Sequence, residues 1–463
     1  MKLLLPARFF SRHLSHPGTK DKKSKFKNFT LITPQKRFQL ISAFFKLLED
    51  NNLAEQLIHA KSYKIKIAKP GVKNKRTRDF GRPPKLNEWG IESWGNLKQI
   101  DIFFNERIQY KVKKFSENLD EQIKNILNLS KLKHPDIKVI LRPKRNFSRY
   151  DEIIKSLDKN CCPIFIIDNK GGIYKKIKRK ITQENGIPVQ VIREQTIHKS
   201  RNLFPLVRTI IPQIIAKTGG LPYKLSPPLL DKALLIGLDK ARDSSGRRPS
   251  ASAGIAAVTP EGHYISGAST PLEQNTTDFI DVDKLAPDLL QELEEKNFEE
   301  NYDYIVILRD DPPQTCKNEV PLWKKHLKKY NMNFIFIASR KTHVYRLFPS
   351  DITDNKPKLN YNIPLILTGH PLPNSDFLVI SAKSHRGTPK PVLYTIMENT
   401  TSLPDTDIKD KVIPQIVSMS MLCWESPSPT SQPLPLHYAD KLANFTQLVQ
   451  QAWNSSNKYP MFI

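Results

Sequence analysis

Along the chain the spacing of apolar residues changes several times, and each change marks a candidate element. Between residues 34 and 60 it is helical, with Phe38, Ile41, Phe45 and Leu48 on one face. That face must pack on the chain's own core or on a partner. From Lys98 short apolar runs alternate with helical stretches. IDIFF at 100–104 reads as a strand, 106–130 as a helix, IKVILRP at 137–143 as a strand and 151–157 as a short helix. CCPIFIID at 161–168 is apolar almost throughout, as expected of a strand buried on both faces. A helical stretch opens at Tyr174, IPVQVI at 187–192 is a further strand, and a helix over 199–217 stops at Gly219. Alternating strands and helices predict a parallel, Rossmann-like sheet.

A second series starts near residue 231. ALLIGLD at 233–239 is a strand ending in a carboxylate, with SAGIAAVT at 252–259 and HYISGAS at 263–269 as antiparallel neighbours. An acidic helix over 284–299 follows, then DYIVILRDD at 303–311, NFIFIAS at 333–339 and DFLVIS at 376–381. Helices over 409–424 and 437–453 close the series. Three strands, a helix and a further strand give the order of an RNase H-like core. Ahead of both series, residues 1–30 read as a basic solvated arm, and 61–85, rich in Gly and Pro, as a linker. The expected fold class is α/β: a basic, partly helical extension at 1–84, a Rossmann-like domain at 85–228 and an RNase H-like domain at 229–463.

Composition narrows the class. The 463 residues are 39% hydrophobic, enough for packed cores and too many for a disordered chain. Lys and Arg number 73 against 46 Asp and Glu, a net charge of +27. Residues 1–230 hold 48 basic and 19 acidic residues (+29), and residues 231–463 hold 25 and 27 (−2). A one-sided excess of this size suggests a polyanionic partner, with an AT-rich, lysine-favouring genome as the bland alternative. Four cysteines without a CxxC pair argue against a disulfide framework or a structural zinc site and fit a reducing cytoplasm. No run approaches the roughly 18 apolar residues of a membrane span.

Candidate chemistry comes in two groups. Tyr174 and Lys178 are four apart and share a helix face. Gln190 lies in the next strand, and Lys217 sits in the last turn of a helix before Gly219. Two ammonium groups, a phenol and an amide can hold a terminal phosphate. The order Tyr-x3-Lys, Gly-Ile-Pro-Val-Gln, Lys-Thr-Gly-Gly resembles the 5′-phosphate pocket of the Argonaute MID domain. The resemblance continues through ALLIGLD, IVILRDD at 305–311, SRKTHVYRLF at 339–348, GTPKPVLYTIM at 387–397 and PLPLHYADKLANF at 433–445, all similar to segments of an Argonaute PIWI domain.

The resemblance has functional implications. Tyr174, Lys178, Gln190 and Lys217, with Gln213 one turn before Lys217, would anchor a 5′-phosphorylated guide strand of RNA or DNA. In prokaryotic members the terminal carboxylate coordinates a metal on that phosphate. Ile463 would take that role with Mg2+, or else end a core-filling tail. Slicing members carry an Asp-Glu-Asp-His or Asp-Glu-Asp-Asp tetrad holding two metals. Its positions fall here on Asp239, Asp281, Asp310 and Leu393, and leucine has no ligand atom, so no two-metal centre is expected. Arg309, Lys341, Arg346, Arg386 and Lys390 are candidate contacts to a guide–target duplex. With no PAZ-like segment before MID, the layout resembles a short prokaryotic Argonaute. The implied function is guide-dependent binding of complementary target, DNA above all, without cleavage. Its setting would be cytoplasmic defence against plasmids and viruses, through a separate effector protein. The alternatives are a slicer with a non-standard tetrad and a non-catalytic scaffold.

Overall fold

The computed structural model describes residues 84–131, 137–144, 150–158, 160–168, 172–243, 250–274, 277–343, 375–380, 391–425, 429–453 and 459–463, with short pieces at 2–4, 39, 43, 58–59, 62–64, 68–72, 75–76, 346–348 and 365–367. Two sheets organise them. The first is parallel: β1 (Gln99–Asn105), β2 (Lys138–Lys144), β3 (Ile164–Ile167) and β4 (Gln190–Arg193), in the order β2-β1-β3-β4. All four residues of β3 are buried, which explains the unbroken apolar run. Helix α1 (Gln109–Ser130) buries Val112, Phe115, Leu119, Ile123, Ile126 and Leu127, a stripe at helical spacing. A short helix, α2 (Ile173–Ile177), runs into a π-helical turn at Lys178–Gln183, and α3 spans Phe204–Lys217. Gly219, at φ +84°, takes the left-handed conformation that ends α3.

The second sheet is mixed. Its strands are β5 (Ala233–Asp243), β6 (Ser250–Val258), β7 (Tyr264–Ser269), β8 (Tyr304–Arg309), β9 (Asn333–Arg340), β10 (Asp376–Ile380) and β11 (Val392–Asn399). The order is β7-β6-β5-β8-β9-β11-β10, with β5, β8 and β9 parallel to one another. Residues 365–367 and then 62–64 extend the edge beyond β10. Helices α4 (Val282–Glu294) and α5 (Val320–Lys328) bury their apolar faces in one core layer. On the other side lie α6 (Ile413–Met419) and α7 (Leu434–Val449). A Cβ added to Gly237 would lie 2.2 Å from the Pro435 backbone, so glycine lets α7 start directly on β5.

Register sets the geometry of the second candidate site. Leu238 pairs with Arg309, and the Asp310 amide donates to the Leu238 carbonyl at 3.1 Å. Asp239 and Asp310 therefore stand side by side on neighbouring parallel strands. A single apolar core runs from Ile100 and Phe115 of the first sheet's domain through Val207 to Leu235, Trp424, Leu442 and Ile463 of the second.

Both domains follow the expected architecture, with local differences. The stretch read as a linker contains strands: Pro70–Val72 pairs with Lys224–Leu225, and 62–64 joins the second sheet. Partners some 150 to 300 residues away leave no local signature. The arm holds a strand at Lys2–Leu4, paired with Arg346–Phe348 and Ile58–His59. Most of the helical stretch at 34–60 lies outside the described residues. The helix expected over 199–217 begins instead at Phe204, after a separate short helix at Glu194–Lys199.

Candidate nucleic-acid interface

At the first candidate site three expected residues converge. Lys178, at the junction of α2 and the π-turn, is 3% exposed, and Lys217, at the end of α3, is 2% exposed. Lys217 Nζ donates to Gln190 Oε1 at 2.6 Å and to the Val189 carbonyl at 3.2 Å. Lys178 Nζ donates to the same carbonyl and to the backbone oxygen of Ile463, both at 3.5 Å. The parallel pairing of β3 with β4 and the stop at Gly219 bring these groups together. Tyr174, one turn before Lys178, keeps an open face and is 40% exposed. Gln213 donates its amide N–H to Thr209 in its own helix at 2.9 Å.

The electrostatics are those of an anion site. Burial lowers the Lys217 ammonium to about 8 and holds Lys178 well below the usual lysine range, with the positive charge of Lys217 adding to the effect on Lys178. The neighbouring Cys162 thiol is pushed up to about 11 by burial. Two buried cations near each other, held mainly by carbonyl and amide oxygens, gain most from a bound anion.

The second site collects carboxylates, and of the neighbours Asp239 and Asp310 only Asp310 has a cation against it among the described residues. Gln432 Nε2 donates to Asp310 at 2.8 Å and to Asp239 at 3.4 Å. Lys341, just past β9, forms an ion pair with Asp310 at 2.5 Å. Burial, then the neighbouring Asp310 and Asp440 carboxylates, hold the Asp239 carboxyl well above the usual range. Leu393 lies in β11 opposite Arg340 and is buried. Asp281 starts α4 and pairs with Lys284 at 3.2 Å. The loop just before it is fastened: Lys240 Nζ holds the Phe279 carbonyl at 2.9 Å, Arg309 holds Asp278 O at 2.7 Å, and Glu319 accepts from the Ile280 amide at 3.0 Å.

Arg309 corrects an expectation. It is not a channel contact but 0% exposed, with Glu319 at 3.0 Å and Asp311 at 2.8 Å. A cation inside needs such carboxylates; Asp311 follows just after β8, and Glu319 stands just before α5. Lys341 is half-exposed but engaged with Asp310. Arg346 lies in a described strand, while Arg386 and Lys390 fall outside the described residues. Gln432, Asp440 and Glu319 escaped the sequence reading. Gln432 and Asp440 come from around α7, about 190 residues after Asp239, where spacing carries no signal.

A family model described as the Piwi domain matches residues 161–453. Protein argonaute-2 of Drosophila melanogaster is 25% identical over 298 residues, covering 58% of this chain and 23% of that protein. The chain therefore spans about a quarter of that relative's length. The crystal structure of Drosophila Piwi superposes with a TM-score of 0.77 at 17% identity, over 96% of this chain and 64% of the other. That of Kluyveromyces polysporus Argonaute with a guide RNA gives 0.75 at 15%, over 97% and 62%.

Proposed function

The chain belongs to the Argonaute/Piwi family, and on that premise we propose that it binds a 5′-phosphorylated guide strand and recognises complementary target without cutting it. The observation that carries the guide half is the Lys178–Lys217–Gln190 cluster, a buried cation pair beside the open ring of Tyr174. The phosphate would enter between the ammonium groups, and Tyr174 would stack on the first base. Sequence would come from base pairing and affinity from backbone charge, so binding should weaken with salt.

The non-cleaving half rests on the carboxylate site. Two divalent ions need several free carboxylate oxygens around the scissile phosphate. Here Asp310 already carries Lys341 and Gln432, Asp281 pairs with Lys284, and Leu393 offers no ligand. These residues do not fit a two-metal set, and we derive no step through one. At the phosphate pocket, an Mg2+ ion on a bound guide phosphate would meet the Ile463 oxygen, which lies 3.5 Å from Lys178 Nζ. An inert nuclease domain needs another output, which supports a separate effector protein in defence against invading DNA.

The test compares matched guides carrying 5′-phosphate or 5′-hydroxyl, then adds complementary target with Mg2+ or Mn2+. Tighter binding of the phosphorylated guide and an intact target are expected. Equal affinities would overturn the guide half, and site-specific cleavage lost in Asp239→Ala would overturn the other.

A further inference from the structure

Against the phosphate pocket lies a second polar cluster that guide anchoring does not use. Cys423 and Glu425 stand in the turn after α6, and His437 and Lys441 lie one turn apart on α7. Cys423 Sγ is 3.9 Å from His437 Nε2, which is 2.9 Å from Glu425 Oε2. One ligand atom from each of the three lies within 4.8 Å of the others. Lys441 Nζ approaches the two Glu425 oxygens at 3.1 and 2.9 Å. Cys423 is buried, while Glu425 and His437 are partly exposed, which leaves a way in.

Both ligand-bearing segments are fixed from outside the cluster. Trp424, between Cys423 and Glu425, donates through its indole N–H to the Tyr438 hydroxyl at 2.6 Å. Its ring also packs edge-on against Tyr223, with centroids 4.8 Å apart. Tyr438 is the immediate neighbour of His437. One hydrogen bond thus ties the turn to the helix and sets the distance between their ligands.

An ion-pair network accounts for Glu425, His437 and Lys441, a carboxylate shared by two cations. It gives no reason for a buried thiol turned toward the imidazole. We propose that Cys423, Glu425 and His437 form a binding site for a borderline transition-metal ion of the Zn2+ class, with Lys441 neutralising Glu425 when no ion is bound. In a tetrahedral site, ligand atoms about 2.0–2.3 Å from the ion lie roughly 3.4–3.6 Å from one another. The distances of 2.9 and 3.9 Å bracket that range. Thiolate, imidazole and carboxylate together select Zn2+ over Mg2+ or Ca2+. Three protein ligands leave a fourth position for water or another donor. As the ion binds, the protons on Sγ and Nε2 leave to solvent, and Glu425 moves from His437 and Lys441 to the metal. The charges of Glu425 and Lys441 reach Tyr174, Lys178 and Lys217, so the ion would sit beside the phosphate anchor.

The test uses the full chain stripped of metal and titrated with Co2+, then Zn2+. One Co2+ per chain is expected, with tetrahedral visible bands and a near-ultraviolet thiolate-to-metal band that Zn2+ abolishes. Cys423→Ser should lose the near-ultraviolet band, and His437→Ala should lose tight binding. No such band in the unaltered chain overturns the proposal. So does a band that survives Cys423→Ser, since Cys161, Cys162 or Cys316 would then be its source. Should a variant fail to fold, X-ray absorption on the unaltered Zn2+ complex decides: one sulfur with nitrogen and oxygen neighbours supports the site, and no sulfur sinks it. None of these readouts involves a guide strand, so failure here leaves the guide reading standing.

Discussion

The proposed phosphate pocket and the carboxylate site are both buried clusters of charge, and they differ in what already lies against the charge. In the pocket, Lys178 and Lys217 lie near each other with carbonyl and amide oxygens as partners, and burial depresses both. At the carboxylate site, Asp239 and Asp310 lie side by side, but Lys341 and Gln432 already occupy them. The pocket's ammonium groups rest on hydrogen bonds, whereas an ion entering beside Asp310 must first displace Lys341. Removing the pocket cations should therefore do most to break the comparison. Lys178→Ala with Lys217→Ala removes two charge-assisted contacts worth roughly 1.5–3 kcal/mol each, a hundredfold or greater loss in affinity for 5′-phosphorylated guide. The 5′-hydroxyl guide should lose little, and competition binding reads both. An equal loss for the two guides would mean that the pocket does not hold phosphate.

Next in size is the internal pairing behind the carboxylates. Glu319→Ala leaves the buried Arg309 guanidinium with Asp311 as its remaining carboxylate and should cost about 3 kcal/mol in denaturant unfolding. Arg309 should contribute nothing to the salt dependence of nucleic-acid binding, because it does not reach the surface. A shallower salt slope in Arg309→Met with stability intact would return it to the channel.

A pH titration sharpens the contrast further. Free Lys217 loses its proton near pH 8, whereas a bound phosphate would keep it charged. Guide affinity should be flat in this group below pH 8. Above it, affinity should fall by up to about tenfold per pH unit, because binding must then take up a proton. Stability of the free protein should move the other way. A lysine depressed by folding is charged only in the unfolded chain between about pH 8 and its ordinary value, so stability rises with pH there. Affinity that stays level to pH 9.5 would remove Lys217 from the anchor.

The smallest effect tests the Lys341–Asp310 pair directly. Lys341→Met frees one face of Asp310, so Mn2+ should raise the stability of the variant by roughly 1 kcal/mol at a few times its dissociation constant. The unaltered protein should respond less. Equal stabilisation of both would show that Lys341 does not hold the site closed.

Chemistry that comes from local spacing was legible, and chemistry assembled across the fold was not. Tyr174 and Lys178 share a helix turn, and Lys217 is marked by the helix stop at Gly219, but it was the resemblance to the MID pocket that joined them into one site. The apolar run of β3 announced a buried parallel strand. Arg309 looked like a surface cation because nothing at its own position shows Glu319 folding back onto it. The pairing of Lys341 with Asp310 was hidden for the same reason, since that partner lies 31 residues earlier. Strands at 62–64 and 70–72 hid in a basic stretch because their pairing partners are remote.

The shared core has a mechanical consequence. Ile100, Val207, Leu235 and Leu442 belong to one continuous apolar interior, so the boundary between the two domains in sequence is not a boundary in packing. Relative rotation of two domains needs an interface that can slide or open, and here opening it would expose core side chains to water. The packing therefore opposes a hinged opening of the two halves, and a strand laid across them would meet a largely preset frame.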